Sequence, residues 1–283
     1  MSKEKAVAVK EPTPLAVAEK PSWMGSKLSV DRKVPRLLLM QGTSQFVEEE
    51  KAKRGDVVRS TTGEKVGGMG QPIPLIILSY PKHERIIEVK PPGKKKFEFI
   101  RTEPRTAQNQ DDKWFYWSDE EGNPVEEGSK GALEAKRVRL GSFFALLPGD
   151  LDRFAAELEK AKRGEMPDLS VEMTPVQVRL RSYSYDASLK VEDMLQKIAA
   201  FGREPWQFVL ELKVGEMKND DNSWFVYEFE VRQKGVPTPE KYKETAQGAF
   251  RFIQENADKL VIDEKEESED APSASGPDGK GQF

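Results

Sequence analysis

The stretch Val176-Gln-Val-Arg-Leu-Arg-Ser-Tyr-Ser-Tyr185 decides the reading of this chain. Side chains of a strand alternate across a sheet, so Val176, Val178 and Leu180 share one face. Gln177, Arg179, Arg181, Tyr183 and Tyr185 share the other. The first face is built for a core. The second lines up two guanidinium groups and two phenols, which suits single-stranded nucleic acid: arginine neutralises phosphates, and a tyrosine ring stacks on a base for about 1–3 kcal/mol. The competing expectation is that this face packs on a helix, with the tyrosines buried and the arginines paired to acids, because aromatic residues are ordinary strand formers.

Outward from this strand, the sequence predicts a helix over Ala187–Phe201 and a hairpin of Trp206–Val214 with Trp224–Arg232. A further helix follows Thr238-Pro239, with Tyr242, Ala246, Phe250 and Ile253 on its apolar face. Upstream, Gly55–Val66 reads as strand, tight turn and strand, with Gly63 at the turn position that needs positive φ. Ile73–Tyr80 reads as a buried strand, and shorter strands follow at Arg85–Lys90, Lys96–Arg101, Trp114–Ser118 and Val138–Leu147. Leu151–Lys162 is helical in period, with Asp150 as the expected N-cap and Gly164 just past the end. Many short strands with few helices predict an α+β, β-rich fold, an OB-like small β-barrel or barrel-like sheet with a few packing helices.

Three divisions are expected: a flexible N-terminal arm over 1–34, a β-rich body over 35–262 and a disordered acidic tail over 263–283. Asn109-Gln-Asp-Asp-Lys-Trp-Phe-Tyr116 echoes Asn219-Asp-Asp-Asn-Ser-Trp-Phe-Val226, so the body holds either two related β modules (35–148 and 170–262) or two hairpins alike by chance. Net charge is −4, of which residues 263–283 carry −5, leaving +1 for the rest. Such a tail, with Glu266, Glu267, Glu269, Asp270 and a final Phe283, suits a contact with a basic groove or a partner's pocket, or serves solubility alone.

Catalysis is not expected. No cysteine is present, which excludes thiolate nucleophiles and fits a reducing, cytoplasmic setting. His83 is the single histidine and sits in polar surroundings that predict a surface residue. Gly67-Gly-Met-Gly70 lacks the Lys-Ser/Thr of a phosphate loop. Asp111-Asp112 and Asp220-Asp221 fall in turns, where Asp serves turn geometry. No metal or cofactor is expected, and no apolar run approaches the roughly 18–20 residues of a membrane span.

Other candidate contacts join those of the opening strand. Trp114 and Tyr116 share one face of their strand and Phe115 and Trp117 the other, so two rings stay out of the core. Trp224 is expected beside Glu228 and Glu230, away from the apolar face of its strand. Lys94, Lys95, Lys96, Arg101 and Arg105, and again Lys136, Arg137 and Arg139, are basic enough to track a backbone, although a solvated turn explains the lysine triplet on its own.

The combination resembles the single-stranded DNA-binding proteins of phage replication modules. The resemblance is carried by the basic and aromatic strands and by the acidic tail ending in Phe283. Three stretches look like a broader class of phage-encoded proteins found beside replication genes: Pro21-Ser-Trp-Met-Gly25 leading to Val34-Pro-Arg-Leu-Leu-Leu-Met-Gln41, Gly55-Asp-Val-Val…Thr62-Gly-Glu64, and the block from Ser182-Tyr-Ser to Trp224-Phe-Val-Tyr227. The tip, Asp278-Gly-Lys-Gly-Gln-Phe283, departs from the pattern by carrying a lysine and few acids. The resemblance implies an OB-like barrel, sequence-independent binding of single-stranded DNA in the host cytoplasm, and a tail that regulates binding or recruits replication or recombination proteins. The rival expectations are a protein-interaction or virion accessory factor and an accessory subunit of a phage polymerase or nuclease.

Overall fold

Val34 is buried and pairs with Ile262 in a parallel bridge, so the two ends of the expected body meet. The computed structural model describes residues 33–41, 44–49, 51–94, 96–106, 109, 114–168, 171, 174–219, 222–229, 236–260 and 262. The expected arm (apart from Lys33 and Val34), the tail, Lys95 and part of the polar turn of each sequence echo (110–113 and 220–221) lie outside the described residues.

The elements in chain order are β1 (Arg36–Leu39), α1 (Gln45–Glu48), β2 (Asp56–Arg59), β3 (Lys65–Gly68), β4 (Ile73–Ile77), β5 (Lys82–Val89), β6 (Glu98–Pro104), β7 (Phe115–Ser118), β8 (Leu133–Leu146) and α2 (Pro148–Lys162). They continue with β9 (Val176–Arg181), α3 (Tyr185–Ala200), β10 (Phe208–Lys218), β11 (Ser223–Phe229), β12 (Val236–Pro237) and α4 (Glu240–Asn256). The fold is α+β and strand-rich. One open mixed sheet follows the order β11-β10-β4-β8-β9-β1-β2-β3, in which strands from both halves of the chain interleave. The β1–β9 pair is parallel and the remaining ladders are antiparallel.

Long strand β8 organises everything. Along one edge it pairs with β5 and then β4, and along the other with β7 and then β9. Its odd-numbered side chains face α3, where Phe143 and Ala145 join Leu37, Val57, Leu75, Val178 and Leu212 against Ala187, Val191, Leu195 and Ile198 of the helix. That helix spacing makes one apolar stripe. The even-numbered Phe144 and Leu146 face the opposite layer, where Tyr242, Ala246, Ala249 and Ile253 of α4 pack with Leu151 of α2. Both faces of β4 are covered, which explains its continuous apolar run. Gly141 permits the closest approach of α3: a Cβ there would lie 2.3 Å from the Ser188 Oγ.

The strand that opened the sequence reading stops earlier than expected. β9 ends at Arg181, Ser182 takes φ 54, a short 3₁₀ turn spans Ser182–Ser184, and α3 starts at Tyr185. A positive φ at serine reverses the chain, so the alternation that put Tyr183 and Tyr185 in line with the arginines does not continue. The N-cap of α2 is Leu147 with Pro148 in the first turn, because Asp150 is buried in an ion pair with Arg59 and a 2.5 Å contact with Arg153. Gly63, at φ 71, makes the β2–β3 turn as expected.

Candidate nucleic-acid interface

Beyond the reach of α2 and α4, the first half of β8 forms a wing with β5, β6 and β7. Register assigns each side chain to a face. His83, Arg85, Arg101, Glu103, Arg105, Tyr116, Arg137 and Arg139 fall on the α3 side, and Glu88, Phe99, Phe115 and Lys136 fall on the α2/α4 side.

The α2/α4 side is aromatic and cationic. Phe99 is 63% exposed and Phe115 41%, while Phe97 lies 6.2 Å from Phe115 and 4.7 Å from the Lys136 ammonium. Trp114 packs on Ile86, Val138 and Leu140. It therefore lies across the sheet from Tyr116, contrary to expectation, because β7 begins only at Phe115 and Trp114 stands outside its alternation. Arg179 and Arg181 extend this face along β9, with the side chains half-buried. Arg181 donates to Glu88, which also accepts from Lys136 at 2.8 Å, so one buried carboxylate ties β9 to the wing. Lys94 and Lys96 are exposed at the β5–β6 connection, Lys94 in contact with Glu98.

The α3 side concentrates arginine. Arg85 and Arg101 share Glu103, donating at 2.6 and 2.8 Å. Burial raises the Glu103 carboxyl, but hydrogen bonds from Arg101 and Arg85 outweigh it and hold the group below the usual carboxylate range. Arg101 also donates to the Glu121 carbonyl, while the Tyr116 hydroxyl donates to the Gly122 carbonyl at 2.8 Å. The Arg137 guanidinium sits 3.8 Å from the Tyr116 ring centroid, drawn below its ordinary pKa by burial, with Arg85 and Arg101 adding to the effect. Arg105 and Arg139 each lie 5.0 Å from the centroid of the Tyr185 ring. Tyr185 is only 2% exposed, and burial raises its phenol. His83 is half-buried, 3.0 Å from Glu192 and edge-on to Tyr185, rather than at the surface.

The sequence-derived candidates thus divide. Arg101, Arg105, Tyr116 and Tyr185 meet on the α3 side; Arg179, Arg181 and Trp114 lie on the opposite side. Tyr183 and Trp224 form a third group, ring centroids 5.2 Å apart, with Tyr183 exposed and Trp224 6% exposed. Trp224 therefore does not face outward. Lys95 and the tail residues Glu266, Glu267, Glu269, Asp270 and Phe283 are outside the described residues. Sequence reasoning missed Phe97 and Phe99 on one face and Arg85 on the other; the alternation Phe97-Glu-Phe99 was the signal available.

Among the described residues no group of three or more His, Asp or Glu side chains is placed to hold a metal ion, and no helix is long and apolar enough to cross a membrane. Compared with protein-family models, curated proteins and solved structures, the chain matches none.

Proposed function

We propose that this chain binds single-stranded nucleic acid without catalysis, on the α2/α4-side face of the wing. The supporting observation is the pair of exposed rings, Phe99 and Phe115, beside Phe97 and Lys136 on one sheet face. Exposed phenylalanines in one patch cost solubility and contribute nothing to the core, so a ligand that covers them explains their position. Each stacked base is worth about 1–3 kcal/mol, and stacking tolerates any base because every base has a π face. Lys94, Lys96 and Lys136 supply charge on the side of the rings for the intervening phosphates. A duplex hides its base faces and cannot use such a platform.

Within this reading the strand is single-stranded DNA in a phage-type replication or recombination setting, and the acidic segment 263–283 regulates binding or recruits a partner. We also propose a barrel-like closure of the sheet. Its support is Gln41, whose side-chain amide both donates to and accepts from the Phe225 backbone, at 2.9 and 3.0 Å, bringing the residues after β1 to β11, the last strand of the sheet order among the described residues.

The test is a fluorescence titration with oligo-dT and with duplex at two salt concentrations. Single strands quench tryptophan emission, Trp114 being half-buried on the platform, and log K falls with log salt at a slope of about −0.7 per phosphate neutralised. Absence of binding, or equal affinity for duplex, sinks the proposal.

A further inference from the structure

Of the two arginines that β9 turns to the α2/α4 side, only one is committed. Arg181 is tied to Glu88. Arg179 is half-buried, yet no hydrogen bond, ion pair or ring contact holds its guanidinium among the described residues. A cation that loses hydration without gaining a partner is unfavourable, and an anion arriving from outside relieves it. Register puts two further donors in line. Arg179 lies opposite Ser142 of β8, and Ser142 lies opposite Lys82 of β5, so all three share one sheet face. The Ser142 hydroxyl also has no partner among the described residues, and the Lys82 side chain is 67% exposed. Glu84, one row along the same face, holds Lys82 at 2.9 Å, which leaves the row a net positive charge. A guanidinium, a hydroxyl and an ammonium spread over two strand spacings of about 4.8 Å each are donors of the kind that phosphate oxygens accept from.

The same face carries the exposed rings. Phe115 and Phe99 stand in the row of Lys136 and Glu88. From Lys136 to Ser142 along β8, at about 3.3 Å per residue, the separation is about 20 Å. Between the two rows lie Ile86, Val138 and Leu140, with Trp114 packed on them. We propose that the row of Lys82, Ser142 and Arg179 is a phosphodiester site, and that a bound strand runs along β8 from the rings to this row. The inference rests on the stacking reading above and gives it a course and a length, roughly six nucleotides at a rise of about 3.4 Å.

Salt slopes of oligo-dT binding, measured with strands of about 4 to 16 nucleotides, test the row. With the longest strands Arg179→Gln reduces the slope by about 0.7, one phosphate contact, and leaves the unfolding midpoint unchanged. Arg179→Lys keeps the wild-type slope. Strands of about 4 nucleotides span about 14 Å at that rise; held by the rings, they end short of the row, and Arg179→Gln changes nothing. Lys82→Gln, at an exposed side chain, gives the same reduction of about 0.7 and serves if Arg179→Gln does not fold. A wild-type slope in both variants at every length overturns the row and leaves the stacking face intact. An equal reduction at every length rules out the course along β8. Wild-type affinity in the Phe99→Ala, Phe115→Ala double variant, with the Arg179 effect retained, sinks the stacking reading while the row stands. Wild-type protein that binds no oligo-dT removes both.

Discussion

Strand β8 passes through two regions that solve opposite problems. Around Phe143–Leu146 the sheet is clothed by α3 on one side and by α2 and α4 on the other, and every one of these four side chains is buried. Around Leu133–Arg137 the same strand lies among arginine and tyrosine on one face and lysine and phenylalanine on the other. The covered half supplies the stability, and the wing leaves apolar and charged surface in solvent, where we propose a ligand binds. One strand connects them, so the wing is held rigid without a core of its own size.

Mutations that break the contrast differ in what they damage. Phe143→Ala, in the covered half, removes a ring that contacts Phe229 at 6.0 Å between centroids, and it should lower unfolding free energy by about 3–5 kcal/mol in a denaturant titration. Glu88→Gln acts at the junction, where one buried carboxylate serves Arg181 and Lys136. It should cost about 1–3 kcal/mol of stability, and the added positive charge should steepen the salt dependence of oligo-dT binding. A denaturant midpoint equal to wild type would remove Glu88 as the tie between β9 and the wing.

The smallest effect concerns Glu103. Its folded-state pKa lies below the ordinary 4.5 because Arg101 and Arg85 bond the ionised form. The stability this gives is present above pH 4.5 and is lost as pH falls through the depressed folded value. Glu103→Gln should therefore flatten the fall in stability below pH 4.5, measured by thermal unfolding across an acid series, while an unchanged acid limb would contradict the assignment.

The architecture was legible where the signal is local. Val176, Val178 and Leu180 are buried as their alternation requires, Gly63 makes its turn, and the expected face of α4 is the packed one. The strand-rich α+β class followed from those patterns. The site was only partly legible because it depends on pairings distant in sequence. Nothing near Arg137 announces that Tyr116 will lie against it. The β5–β6 ladder carries a bulge between Ile87 and Glu88, which fixes the faces of Phe99 and Arg101 and cannot be counted from either strand alone. Ser182 gave no sign of its positive φ, so Tyr185 was read as a strand residue. Trp224 is buried at a contact with Tyr183 that no alternation within β11 predicts. His83 stands between polar neighbours, yet strand pairing turns it toward Glu192 and Tyr185.

The central claim is that the exposed rings of the wing bind a ligand and do not support the fold. Phe99→Ala combined with Phe115→Ala tests it, with oligo-dT affinity and unfolding midpoint measured on the same preparation. The account predicts a loss of about 2 kcal/mol or more in binding, on the scale of about 1–3 kcal/mol per stacked base, with the midpoint and the salt slope unchanged. Wild-type affinity in the double variant, or a loss of binding that merely follows a lowered midpoint, would contradict it.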